Sequence, residues 1–198
     1  NNKRVVSYDT PNGKPERDEV YHKGITANKD RNQMIMSLFH YYLDHLYRSG
    51  TGVVLFNFHE HGSNLFSLCD HSSYNIEYAD GETPNKERSR IVEGLKTTDV
   101  DGVVASKILN EGEDIPNLEF LIIAGGGASN RNLTQQVGRV IRNKAKALVI
   151  DIFDDEYWYL RNNSSKRQSH IKNTYPGSVQ QAKSEQEARS FIDEQLKN

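Results

Sequence analysis

Cysteine is almost absent from this chain: one thiol, Cys69, stands in 198 residues. A lone thiol builds no disulfide framework and no multi-cysteine zinc site, and it fits a reducing compartment. Long apolar runs are missing as well. Nothing approaches the ~18 consecutive apolar residues of a membrane span, and the polar start NNKRVVSYD has no signal-peptide core. Charge of one sign is lacking too: 25 Lys and Arg against 27 Asp and Glu leave −2. That balance excludes a bulk basic nucleic-acid binder, though not a local basic groove. There is no initiator Met, so the chain is expected to be processed or a piece of a longer polypeptide. Internal repeats and low-complexity tracts are absent.

What is present is an alternation. The length suits roughly one domain of ~150 residues with an appendage. The first 25 residues read as a β-hairpin, with the β-prone runs KRVVSY and EVYHKGI flanking an Asn12-Gly13 turn signal. DRNQMIMSLFHYYLDHLYRSG has helical period, placing Ile35, Leu38, Phe39, Tyr42 and Leu46 on one face, with Gly50 ending it. GVVLFNF is continuously apolar, the mark of a strand buried on both faces. SNLFSLCDH follows as a short helix and YNIEYA as a short strand. Thr83 then caps the helix PNKERSRIVEGLKTT, with Pro84 at its first position. DGVVASKI and LEFLIIAGG are strands, NLTQQVGRVIRN a helix, and KALVIDIF a last strand. Beyond Phe153 the chain turns polar, aromatic and basic, and SEQEARSFIDEQLK reads as a short solvated helix. The alternation predicts an α/β fold with a largely parallel sheet.

In such sheets ligands bind at the carboxyl ends of strands, so the loops there carry the chemistry. After DGVVAS, Gly112 permits close backbone approach, Asp114 is suited to a ribose hydroxyl and Ser106 to a phosphate. The bland alternative is a tight turn. AGGGASNRN has three consecutive glycines but no Gly-Lys-Ser/Thr, so it is no P-loop. It reads as an interdomain or nucleotide-proximal loop that another segment or a ligand approaches. QQVGRVIR is the most informative. Arg139 and Arg142 project to one side of a helix whose Val137, Val140 and Ile141 face the core. Gly138 in mid-helix costs ~1 kcal/mol relative to Ala, which signals close packing or close approach. Paired arginines suit a polyphosphate or surface salt bridges; the glycine and Gln135 favour the former.

Gln135, Gly138, Arg139 and Arg142 fill the pattern Q-x-x-G-R-x-x-R, which resembles motif VI of superfamily 2 helicases. VVASKILNEGEDIPNLEFLIIAGGGAS resembles motif V, and VVLFNFHEHGSNL resembles motif IV, with GET at 81–83 between them. Order and spacing match from about residue 20 to 155. The GGG-x-S loop and ITANKDRN resemble phage recombination helicases of the UvsW type. The resemblance implies a RecA-like parallel-sheet domain with helices on both faces, here with an N-terminal β-hairpin and a C-terminal helical extension. Residues 1–155 are expected to form the RecA-like domain and 156–198 its extension. It is expected to be the second motor domain of an ATP-dependent DNA helicase or translocase.

The implied roles follow motif by motif. Arg142, Arg139 and Gln135 act in catalysis, and Gly112, Asp114 and Gly138 lie beside the nucleotide. Ser106, Lys107, His61, Gly62 and Asn64 touch the nucleic-acid backbone. ATP and Mg²⁺ are held mainly by the first RecA-like domain of the same polypeptide, so this chain alone is expected to be inactive. The partner is single-stranded or branched DNA, and no metal site or membrane contact is expected here. DIFDDE follows motif VI, the wrong order for a Walker B carboxylate cluster. Asp151 reads as a strand end, with Asp154 or Asp155 at a helix start. Arg161, Lys166, Arg167, His170 and Lys172 beside Tyr157, Trp158 and Tyr159 suit either single-strand binding or an aromatic docking seam with a solvated charged face. The expected location is the cytoplasm, the host's if the chain is phage-encoded. Rival readings are a restriction-enzyme translocase subunit and a non-enzymatic DNA-binding or interaction module on a RecA-like scaffold.

Overall fold

The computed structural model describes residues 17–45, 50–106, 115–127, 137–138 and 147–197. Five parallel strands form one sheet in the order β2-β3-β1-β4-β5. They are β1 (Thr51–Leu55), β2 (Ile76–Ala79), β3 (Gly102–Ala105), β4 (Leu118–Ile123) and β5 (Leu148–Asp151). The helices are α1 (Arg17–Tyr21), continued by a π-helical turn (His22–Thr26), α2 (Lys29–His45), α3 (His59–Phe66), α4 (Asn85–Thr97), α5 (Trp158–Thr174) and α6 (Glu185–Lys197).

Strand side chains alternate between two apolar layers, which is why the strands read as unbroken hydrophobic runs. Val54, Val104, Phe120 and Ile122 meet Ile35, Phe39 and Tyr42 of α2, Leu65 of α3 and Ile192 of α6. Val53, Leu55, Val103, Leu121 and Ile123 meet Ile91, Val92 and Leu95 of α4, with Val137 and, half-buried, Ile171 of α5. The Phe39 ring lies over the paired Gly52 and Gly102, where a Cβ would come within 2.7 and 2.5 Å of it. Those glycines let the Phe39 ring of α2 reach the backbone of two strands.

Four expectations are corrected. EVYHKGI is helical, not a hairpin strand. Its burial runs Val20, then Gly24 to Thr26, with His22 and Lys23 exposed, a period of four to five rather than two. Packing against Leu160 and Tyr157 outweighs the local β preference. KRVVSY and the Asn12-Gly13 turn lie outside the described residues. The short helix begins at His59 and ends at Phe66; Gly62 within it disguises the start, and a Cβ there would lie 2.4 Å from the Phe56 ring. Thr83 does not cap α4. Its N–H and hydroxyl both donate to Asp80 Oδ1, and the helix follows Pro84 without a side-chain cap. The terminal helix α6 is not merely solvated: Ile192 is fully buried against α2, Ser37 donates to Glu185, and Tyr41 to Asp193.

Two polar knots pin these layers. In the first, Asn32 Nδ2 and Asn64 Nδ2 each donate to the Thr26 carbonyl at 3.0 Å. Asn32 Oδ1 is therefore the acceptor that faces His61 Nε2 at 3.1 Å. The imidazole proton sits on Nε2, and Nδ1 is a buried lone pair without a partner. Burial, with the Arg31 charge adding to it, pushes the His61 pKa down to about 3. In the second, Asp154 lies between two buried guanidiniums. Arg31 Nε donates to it at 2.6 Å, and Arg167 Nη2 stands 3.9 Å away. Arg167 Nε also donates to Asp151 at 2.8 Å, and its Nη2 to the Ile152 carbonyl at 2.7 Å.

Each knot generates a prediction. The unfolded chain binds a proton at His61, with an ordinary value of 6.5, that the fold excludes down to about 3. The stability that this residue contributes is full above pH 6.5 and is lost as pH falls toward 3. Thermal unfolding by circular dichroism from about pH 7 to about pH 4 should show a smaller loss of Tm for His61→Gln than for the parent chain. Identical pH slopes would contradict the buried neutral tautomer. Asp154→Ala leaves the buried Arg31 guanidinium without a carboxylate, while Arg167 keeps Asp151, and should cost about 3–5 kcal/mol in urea unfolding. Glu87→Ala, at the exposed Arg90 pair, should change stability little.

Candidate functional site

All five strands run the same way, so their carboxyl ends form one edge. There the chain leaves β1 through Asn57, Phe58 and His59, β2 through Asp80, β3 through Ser106, β4 through the glycines 125–127 and β5 through Ile152–Asp154. Central β1 pairs with β3 on one side and β4 on the other, so Asn57 and the triple glycine face each other across a strand boundary. Asn57 Nδ2 and the Tyr21 hydroxyl both donate to the Gly125 carbonyl. Burial raises the Tyr21 pKa and keeps that hydroxyl protonated.

The glycines answer crowding from within the chain. A Cβ on Gly125 would lie 2.7 Å from the Asn57 amide; Gly126 has φ +55 and would meet Ile25 at 2.9 Å. Arg31 Nη2 donates to the Ala124 carbonyl at 2.9 Å, and Arg167 Nη1 to the Gly127 carbonyl at 2.9 Å. The segment that approaches this loop is thus the protein's own. Sequence reasoning missed Arg31, Asn57 and Tyr21. The ITANKDRN segment carried Arg31, and only the fold shows what it binds.

Ser106 ends β3 as expected, half-buried, with its N–H donating to the Ala79 carbonyl at 3.0 Å. His61, Gly62 and Asn64 turn inward: His61 to Asn32, Gly62 to the Phe56 ring, Asn64 to Thr26. Those contacts hold the His61 and Asn64 side chains within the domain. The exposed side chains of that segment are Asn57, Phe58, His59, Glu60 and Ser63. Gly138 lies in a described helical pair with Val137, which is buried. Among the described residues a Cβ there would meet only the Tyr175 hydroxyl, at 4.0 Å. No described residue crowds this glycine. Lys107, Gly112, Asp114, Gln135, Arg139 and Arg142 lie outside the described residues.

The basic stretch divides. Arg167 is 2% exposed and spent on the aspartates, so it belongs neither to a single-strand-binding surface nor to a solvated charged face. Tyr157 and Tyr159 pack on Val20, Ile25 and Leu160, whereas Trp158 is 73% exposed. Asp154 is no helix start but a buried ion-pair partner. Burial, opposed by Arg167, pushes the Asp151 carboxyl up to about 6. Among the described residues no three of His, Cys, Asp and Glu converge as a metal site, and the residues at this edge do not fit Mg²⁺. No helix among them is long and apolar enough to cross a membrane.

The model of the helicase conserved C-terminal domain matches residues 28–144. Putative helicase 22 of Sulfolobus islandicus filamentous virus is 29% identical over 106 residues, 52% of this chain and 19% of that protein. The putative DNA 3'-5' helicase Rad25 of Halobacterium salinarum is 36% identical over 73 residues, 36% of this chain and 12% of that protein. The chain thus spans a fifth or less of the length of these relatives. The crystal structure of T4 UvsW aligns with a TM-score of 0.62 at 23% identity, over 82% of this chain and 36% of that one, a likeness of fold. With its matched region covering more than half the sequence and ending just past the Gln135–Arg142 pattern, the chain belongs to the helicase conserved C-terminal domain family, as the second RecA-like domain of superfamily 2.

Proposed function

We propose that this chain is the second motor domain of an ATP-dependent DNA helicase or translocase. In this reading it lends an arginine finger to a nucleotide held by the first RecA-like domain and grips one DNA strand through its backbone. The observation that carries the reading is Gly138. It lies in the helical pattern that bears Arg139 and Arg142, and no described residue crowds it. A glycine in a helical pattern admits close approach of another backbone, and in this reading the surface that approaches belongs to the first motor domain. That the halobacterial relative is a putative DNA 3'-5' helicase supports DNA as the substrate.

The chemistry follows from the arginines. ATP and its Mg²⁺ belong to the first domain, and the guanidiniums of Arg139 and Arg142 meet the terminal phosphates when the two domains close. Such a contact stabilises charge that develops in the transition state, so it raises turnover more than binding. The strand grip falls to Ser106, Lys107 and the exposed residues after β1. Those contacts go to phosphate and sugar and carry no sequence preference.

In the intact motor, Arg142→Ala should cut DNA-stimulated ATP turnover roughly 10³-fold while leaving nucleotide affinity within about tenfold. Arg142→Lys should rescue little, because an ammonium lacks the planar fork, and Gln135→Ala should do less damage. Near-normal steady-state turnover in Arg142→Ala would make it a surface arginine. Gly138→Ala separates the interdomain role from a folding role. It should leave Tm unchanged or raise stability by up to ~1 kcal/mol, yet lower ATP turnover. A fall in Tm would assign the glycine to the fold instead.

A further inference from the structure

On the β2 side of the same edge, away from Asp154, a second carboxylate is buried. Asp80 is 8% exposed. Its Oδ1 accepts the N–H groups of Glu82 at 2.9 Å and Thr83 at 3.2 Å, with the Thr83 hydroxyl at 3.3 Å. Its Oδ2 accepts the Tyr78 hydroxyl at 3.1 Å. Those bonds satisfy the carboxylate and fix the turn at 80–83. Yet His59 Nδ1 also lies 2.7 Å from Oδ2, on a side chain that is 69% exposed. Burial alone would raise the Asp80 pKa. The hydrogen bonds, that of His59 first, outweigh it, and the pKa is lowered. The group stays ionised.

An ionised acceptor on Nδ1 fixes the ring. The Nδ1 proton points at Asp80, and Nε2 points away from it. Among the described residues nothing bonds Nε2. Among the described residues the groups facing the ring are Asp80 and Tyr78 of the β2 strand end; Glu60, its neighbour in α3, is engaged by His22 at 2.9 Å. Ser106 is next along the edge, since its N–H donates to Ala79, the residue before Asp80.

We propose that His59 is a contact for a backbone phosphate of the bound strand, with Asp80 as its positioning residue. The proposal rests on the strand-grip reading and names a cation that the motif resemblance did not. Protonated at Nε2, the ring donates a charge-assisted hydrogen bond to a phosphate oxygen while its Nδ1–H stays on the Asp80 carboxylate. Asp80 turns one surface histidine into an aimed donor without placing a permanent cation on the chain.

The test is fluorescence anisotropy with labelled oligothymidine and the full chain, titrated across salt concentration near pH 6. His59→Ala should weaken binding about fivefold and flatten the log–log salt slope by about 0.7, the release from one single-strand phosphate. Asp80→Asn keeps an acceptor for the turn but loses the charge behind the ring. It should flatten the slope likewise, and the double variant should be no weaker than His59→Ala alone. A merely structural Asp80 would lower Tm and leave the slope untouched, which overturns its positioning role. If Ser106→Ala weakens binding while His59→Ala changes neither affinity nor slope, the assignment of His59 is overturned and the strand grip stands. If the parent chain does not bind the oligonucleotide, the strand grip falls and takes this proposal with it.

Discussion

Two buried arginines converge on one aspartate, and the carboxyl edge depends on that junction. Arg31 comes from the first turn of α2 and Arg167 from the middle of α5; Asp154 follows the last strand. Taking these charges out of water costs several kcal/mol each, and mutual attraction alone does not recover it. The structure offsets the cost with directed hydrogen bonds: Arg31 to the Ala124 carbonyl, Arg167 to the carbonyls of Gly127 and Ile152, and the Asp154 N–H to Ser164 Oγ. Each of these carbonyls lies at a strand end or in the triple-glycine loop. The junction therefore sets the shape of the surface on which the site is built.

That junction also explains what the triple glycine is for. The carbonyls of Ala124, Gly125 and Gly127 all accept hydrogen bonds from side chains of the same domain. The loop is small so that Asn57 and Ile25 can lie against it, and its geometry is committed before any ligand arrives. A phosphate cradle instead needs free N–H groups converging at a helix start. Three glycines in a row thus signal tight internal approach here, the alternative that the sequence had left beside a nucleotide-proximal loop.

Legibility in the sequence followed the range of the forces. The strands β1, β3 and β4 are buried on both faces, so their apolar runs announced them, and the parallel sheet came with them. Helix α2 was equally plain from Ile35, Leu38, Phe39 and Tyr42. The segment around Val20 was misread because its local β preference yields to Leu160, far along the chain. Arg167 was misread for the same reason: nothing local tells a buried arginine from a solvated one until Asp151 and Asp154 are folded against it. His61 lies in the segment the motif singled out, with its imidazole held inside the domain by Asn32. The spacing that puts a residue near a strand end does not say which way its side chain turns.

The placement of positive charge limits how such a domain can act. Arg31 and Arg167 are buried and neutralised, so the edge gains no field from them. With a net charge of −2, attraction for a polyanion must come from a few exposed groups at short range. Short-range contacts work only if their spacing is held. Here the parallel registers of β1 with β3 and β4 hold it, with Asn57 and Tyr21 joined to Gly125 across the boundary and Ser106 joined to β2. An edge tied in this way has little slack to deform. In the proposed motor, the conformational change that nucleotide drives is therefore expected between domains rather than within this edge.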